Sequence, residues 1–276
     1  MTSYKNLFEN KHTLIGMVHL GPLLGYPEHH SLDPIIENAI YDAKILQYAG
    51  YDAILVENNY DLPHKEFVEP SVICSLCRCI EEIKKVVTIP TGVCVLWNDY
   101  KTALSLAKIY KLDFIRIAVF VDHVKTDFGE IDACYSELRK FREEIGEKDT
   151  LIFTDIQVKH SELLNKQPIS KSALDAIKEG SDGLIVTGKW TGDVPDLEKI
   201  QEVRTAVGDF PIIIGSGTDE NNIPSLMTLA NCFIVGTSIK VGESKDKATE
   251  RNLKPYENRL DATRALNLKK KLSANL

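Results

Sequence analysis

Five side chains able to move a proton or attack a carbonyl stand at or just past the ends of short apolar runs: His19, Glu57, Asp155, Lys159 and Lys189. Glu57 closes DAILVE beside Asn58 and Asn59, and is a candidate general base. His19 ends HTLIGMVH ahead of a glycine- and proline-rich stretch, and is a candidate acid–base group. In TLIFTDIQVKH, strand alternation puts Phe153, Asp155, Gln157 and Lys159 on one side, which predicts an Asp155–Lys159 pair. Lys189 alternates with Ile185 and Thr187. A lysine there can act as electrophile, phosphate partner or imine-forming nucleophile. Asn98, Asp99 and Arg116 join the same set of strand-end groups, Arg116 in a pairing role. No fixed spacing unites these residues, so any shared chemistry depends on a fold that brings them together.

A second kind of chemistry is written in glycines. Residues 212–214 (III) run into Gly215-Ser216-Gly217-Thr218, and residues 233–235 (FIV) into Gly236-Thr237-Ser238. Glycine lets backbone N–H groups approach a ligand closely. Paired clusters of this kind after the last two strands of a (β/α)8 barrel hold phosphate. Gly215, Ser216, Gly217, Gly236, Thr237 and Ser238 are therefore the candidate phosphate cup.

The elements needed to position these groups recur along the chain. Strands are expected at residues 12–19, 52–57, 90–96, 113–120, 150–158, 182–187, 212–214 and 233–235. Their β-branched, apolar character suits parallel strands covered on both faces. Helices are expected from Asp33 to Gly50 and over 71–87. Asn98 or Asp99 should cap a third, followed by 131–145, 170–178, 196–207, one opening near Asn221, and a last over about 255–265. Eight strand–helix units of roughly 30–40 residues match the size of a βαβ element. No GxGxxG follows the first strand, which argues against an open doubly wound sheet. The expected fold is a single TIM barrel over 1–276, with a lead-in at 1–11 and a C-terminal helical segment at about 246–276.

The bulk properties agree. The chain has 276 residues, 43% hydrophobic and 26% charged, with a net charge of −7. It carries no basic stripe for nucleic acid and no apolar run long enough to span a membrane. Without an export signal it reads as a cytoplasmic protein. Cys74, Cys77 and Cys79 hint at metal spacing but fall inside an expected helix, with no second pair nearby. No cofactor motif is present; a divalent metal on His19, Glu57 and Asp155 stays open. Exposed helical faces leave a homo-oligomer open too.

Several stretches together resemble the BtpA/SgcQ family: IGMVHLGPLLG (15–25), VENN (56–59), LWND (96–99), DFIRI (113–117), DIQVKH (155–160), IVTGKWTG (185–192), GSG (215–217) and IVGTSIK (234–240). The order is kept over roughly residues 14–242. The resemblance implies a phosphate-binding (β/α)8 barrel and little about reaction. One cyanobacterial branch of the family is associated with photosystem I biogenesis, and enteric members lie among sugar-metabolism genes. This chain departs from the usual pattern at Leu24, Ala118, Val121-Asp122 and Gln157. The expected function is an enzyme for a small phosphorylated metabolite, sugar- or nucleotide-derived, working by isomerase or lyase/aldolase chemistry. The alternative is a non-catalytic assembly or stability factor.

Overall fold

The computed structural model describes Leu7, residues 12–242 and residues 259–275. In chain order the first half contains β1 (Thr13–His19), α1 (Leu32–Tyr48), β2 (Ala53–Glu57), α2 (Pro70–Val86), β3 (Thr91–Cys94), α3 (Tyr100–Tyr110), β4 (Phe114–Ile117), β5 (Val124–Thr126), β6 (Gly129–Ile131) and α4 (Tyr135–Glu144). The second half contains β7 (Leu151–Asp155), β8 (Ser161–Leu163), α5 (Ile169–Lys178), β9 (Gly183–Val186), α6 (Leu197–Val207), β10 (Ile212–Ile214), α7 (Ile223–Leu226), β11 (Cys232–Val235) and α8 (Ala262–Ser273).

Eight strands close a parallel barrel in the order β1-β2-β3-β4-β7-β9-β10-β11, with β11 returning to β1. Alternate residues face in and out. Ile15, Met17, Leu55, Phe114, Phe153, Ile185, Ile213 and Ile234 fill the interior. Leu14, Val18, Ile54, Val56 and Ile115 pack outward against the helices. Phe114 and Phe153 stack at 4.9 Å across the floor. Gly92 makes room for them, since a Cβ there would overlap the Phe114 ring.

The lower rim is braced by one repeated device. Asp52, Asp113 and Asp182, each just before a strand, accept an amide from the first two residues of the strand before it in the barrel: Leu14 N at 2.8 Å, Thr91 N at 2.7 Å and Ile152 N at 2.8 Å. Asn231 does the same for Ile212 N at 3.1 Å. Side-chain oxygens thus supply partners for strand-end amides that the ladder leaves open. Asp99 and Asp196 cap α3 and α6 by accepting from Thr102 N and Glu198 N.

The structure corrects the sequence-based expectations in three places. The loop expected to run plainly into a helix at 131 instead folds as the hairpin β5–β6, and β8 adds to it as a third antiparallel strand. β7 stops at Asp155, not at 158, because Gln157 turns into a left-handed conformation (φ 50°) and its amide is held by Asp122 Oδ2 at 2.7 Å. The C-terminal helix runs on to Ser273. The part of it expected before residue 259, and nearly all of the lead-in at 1–11, lie outside the described residues.

Candidate functional site

Register determines which groups meet at the mouth. His19 pairs with Glu57, Glu57 with Cys94, and Cys94 with Arg116, so these four sit at one level of the barrel. Asp155 stands two residues above Phe153, the register partner of Arg116. Arg116 therefore reaches across: its Nε and Nη2 donate to the two Asp155 oxygens at 2.8 and 3.0 Å. Its Nη1 lies 3.5 Å from Glu57 Oε2. Burial alone would lower the guanidinium's pKa, but Asp155 and Glu57 outweigh it and hold the charge firmly in place. A bidentate fork of this kind fixes Asp155 in geometry as well as charge.

The expected Asp155–Lys159 pair is thus replaced by Asp155–Arg116. Lys159 still reaches the mouth, because the turn at Gln157 carries the chain over the barrel top, and its amide donates to Thr187 Oγ1 at 3.1 Å. Burial, reinforced by Arg116, lowers the Lys159 pKa to about 8. Glu57 is buried, with His19 Nε2 at 3.7 Å from its Oε1. Burial and the cations Lys240 and Lys159 hold the His19 pKa well below its ordinary value, so the ring is neutral at physiological pH. Its Nδ1 is buried and has no hydrogen-bond partner.

A cavity of about 190 Å³ opens at this end of the barrel. His19, Glu57, Arg116 and Lys159 line it, together with Gly215, Ser216, Gly217, Thr218, Gly236, Thr237 and Ser238. Both glycine clusters therefore face the cavity that holds the ionisable groups. Asp155 lies behind Arg116, outside the lining. Lys189 does not reach it either: the side chain is exposed and its Nζ lies 5.6 Å from the Trp190 ring centre. The set His19, Glu57 and Asp155 is not gathered as metal ligands, because the Arg116 guanidinium occupies the space between the two carboxylates. Among the described residues no cluster of three His, Cys, Asp or Glu side chains forms one.

The cup is built from backbone, with its hydroxyls used as braces. Ser216 Oγ accepts from Gly188 N at 2.9 Å and donates to Asp193 O at 2.7 Å, tying the loop after β9 to the loop after β10. Ser238 Oγ donates to Thr218 O at 2.7 Å, tying the loops after β10 and β11 together. Gly217 has φ 70°, and a Cβ there would strike the backbone of Asp193 and Val194. The amides of Gly217, Thr218, Thr237 and Ser238 donate to no acceptor among the described residues. The Thr218 hydroxyl is buried and without a partner.

Among the lining residues that sequence reasoning missed are Lys240, Tyr60 and Trp97. Lys240 follows the single 3-10 turn after β11 and is buried against Tyr60, with Nζ 3.1 Å from the phenol oxygen. Burial, then Arg259, lowers its pKa to about 7. Its segment, residues 234–240, carried part of the family resemblance, and that was the available signal. Trp97 lay in the LWND stretch (96–99) of the same resemblance; Tyr60, an aromatic residue in a loop, gave none. Asn58 and Asn98, read from sequence as mouth groups, instead clamp neighbouring loops. Asn58 Oδ1 accepts from Leu96 N at 2.7 Å. The Asn98 amide exchanges both of its hydrogen bonds with the Val119 backbone, at 2.8 and 2.9 Å.

Comparison with known proteins places this architecture. A model of the BtpA family matches residues 10–253. The chain belongs to the BtpA family. An uncharacterized protein of Methanocaldococcus jannaschii is 39% identical over 232 residues, 83% of this chain and 87% of that one. The photosystem I biogenesis protein BtpA of Synechocystis is 36% identical over 236 residues, 84% of this chain and 82% of that one. Among solved structures, (S)-3-O-geranylgeranylglyceryl phosphate synthase of Thermoplasma acidophilum, in complex with sn-glycerol-1-phosphate, superposes with a TM-score of 0.61 at 12% identity, over 99% of this chain and 100% of that one. Phosphoribosyl anthranilate isomerase of Thermus thermophilus gives 0.57 at 9% identity, over 95% and 98%. At these identities the likeness is one of fold, and the fold is the TIM barrel. No helix among the described residues is long and apolar enough to cross a membrane.

Proposed function

We propose that this BtpA-family barrel is an enzyme that binds a small phosphorylated metabolite at its mouth and carries out isomerase or lyase chemistry next to a carbonyl group. One observation carries the reading. The open amides of Gly217, Thr218, Thr237 and Ser238, with the unpartnered Thr218 hydroxyl, bound the same cavity as Glu57, His19, Lys159 and Lys240. Converging N–H donors without protein acceptors suit a phosphate. The glycerol phosphate bound to a protein of the same fold supports a ligand of this class. Ser216 and Ser238 contribute backbone to the cup, their hydroxyls being taken by the braces.

Across the mouth, Glu57 takes a proton from the carbon beside the substrate carbonyl, and neutral His19 receives or relays it. Lys159 and Lys240 flank them. A protonated lysine stabilises the enolate oxygen. A neutral one adds to the carbonyl and forms an imine, with release of water. Pushing both pKa values toward neutrality makes each form accessible. Arg116, anchored by Asp155, holds its positive charge beside Glu57.

The test is a thermal-shift screen of ketose and aldose phosphates against the wild type and Thr237→Asp, whose new carboxylate would stand in the cup. Ligands should stabilise the wild type and fail on the variant. Borohydride treatment in the presence of a binding ketose phosphate should leave a mass adduct on Lys159 or Lys240 if an imine forms; its absence restricts the chemistry to proton transfer. If no phosphorylated compound shifts the melting point, the enzyme reading fails. The non-catalytic assembly role, which the Synechocystis relative's name supports, then takes its place.

A further inference from the structure

The cavity has two unlike walls, and the barrel order sets them against each other. In the closed ring, β3 lies opposite β10 and β4 opposite β11. The cup follows β10 and β11. The loops after β3, β4 and β7 contribute Leu96, Trp97, Ala118 and Val158 to the lining. The far wall is therefore apolar at the point most distant from the cup, with Glu57, His19 and Lys159 between the two.

This wall is assembled from residues remote in sequence and supported from behind. Trp97, Ala118 and Val158 belong to a satellite core with Val119, Val124 and Ile131, separate from the barrel interior. Val124 and Ile131 come from the β5–β6 hairpin. The two side-chain amides that hold the wall's backbone are already spent. Asn58 clamps the Leu96 amide, and Asn98 holds both backbone groups of Val119. His64, which also lines the cavity, has its pKa lowered to about 4 by burial and stays uncharged. A bare sugar phosphate would turn hydroxyls toward a surface offering them few partners, at the cost of unmet hydrogen bonds.

We infer that the wall formed by Leu96, Trp97, Ala118 and Val158 is a subsite for a planar apolar group, so that the ligand is a phosphorylated sugar or polyol bearing such a substituent at the end away from its phosphate. The inference rests on the phosphate reading of the cup. It adds the second half of the ligand: the phosphate anchors one end, the apolar group the other, and the reacting carbon lies between them near Glu57.

Calorimetric titration separates the two claims. The probes are inorganic phosphate, ribose 5-phosphate against adenosine 5′-monophosphate, and glucose 6-phosphate against phenyl β-glucoside 6-phosphate. In at least one pair the aryl member should bind about tenfold or more tightly than its parent, the size expected for burying an aromatic face. Trp97→Ala should erase that preference and leave the parent's affinity unchanged. Val158→Thr, nearly isosteric, should reduce it several-fold and serves if Trp97→Ala does not fold. Equal affinities within both pairs, or variants that weaken parent and aryl member alike, overturn the subsite while leaving the cup standing. Failure of phosphate and both parents to bind overturns the cup, and the subsite with it.

Discussion

The two ends of the barrel use the same residue types to opposite ends. At the lower rim Asp52, Asp113 and Asp182 each accept a strand amide. The partner they share is a backbone group, which neither titrates nor leaves; Asp52 adds an ion pair, to Lys269 at 2.8 Å. At the mouth Glu57 and Asp155 face a guanidinium, an imidazole and, more distantly, lysines. Arg116, the partner they share, carries charge, and two of the neighbouring groups have pKa values brought near neutrality. An acidic residue at a strand end is therefore structural or chemical according to what stands opposite it. TIM barrels place stability at the lower face and chemistry at the upper.

Substitutions can break this contrast or sharpen it. Arg116→Leu should have the largest effect, because it strands Asp155 as an unpaired buried charge, at a cost of about 3–5 kcal/mol. Replacing Asp155 by leucine as well should recover much of that stability without restoring activity, as measured by denaturant titration of the double-mutant cycle. Full loss retained in the double variant would mean that the pair is mainly a packing element. Gly217→Ala comes next. A left-handed residue with a Cβ costs roughly 1–2 kcal/mol, and here the Cβ also meets the Asp193–Val194 backbone. Phosphate affinity should be lost while the far-ultraviolet circular dichroism remains that of an α/β barrel.

Asp113→Ala tests the lower rim. Leaving the buried Thr91 amide unpaired should cost about 1–3 kcal/mol of stability, with ligand affinity unchanged. A fall in affinity at equal folded fraction would break the division between the two ends. Lys240→Met is read as a pH dependence and not as a loss of stability. Burial lowers the folded-state pKa of Lys240 to about 7, whereas an unfolded lysine titrates near 10.4. Between those values the unfolded chain binds more protons, so this group makes stability rise with pH, and below about 7 the full cost of the buried charge is present. The variant's melting point should exceed that of the wild type most at about pH 6 and lose that advantage toward pH 10. A constant difference would place the lysine's charge in a better-compensated setting.

Much of the fold was legible because its signals are local. Each barrel strand is a short β-branched run, and residues 212–214 were located to the residue. The hairpin at 124–131 was not legible: VKT and GEI are three-residue strands, too short and polar for alternation to register. The candidate site was half legible. The glycine clusters fell where expected because backbone approach demands glycine. The position of Lys159 in the mouth was foreseen, but its expected pairing with Asp155 gives way to Asp155–Arg116. Alternation holds only while the chain stays extended, and Asp122 turns it at Gln157. Arg116 was given a pairing role without its partners, which depend on barrel register. Lys189 lies three residues beyond the end of β9, past the alternation that favoured it. Lys240 was hidden because a 3-10 turn, with no period of its own to read, redirects it inward.

Phosphate entering between the loops after β10 and β11 would leave the ionisable groups across the mouth for chemistry. A crystal structure with ribose 5-phosphate locates the phosphorus directly. The account predicts it within hydrogen-bonding reach of the Gly217, Thr218, Thr237 and Ser238 amides, with the sugar extending toward Glu57. Phosphorus bound instead against Arg116 and Lys159, with those four amides left unbonded, would contradict it.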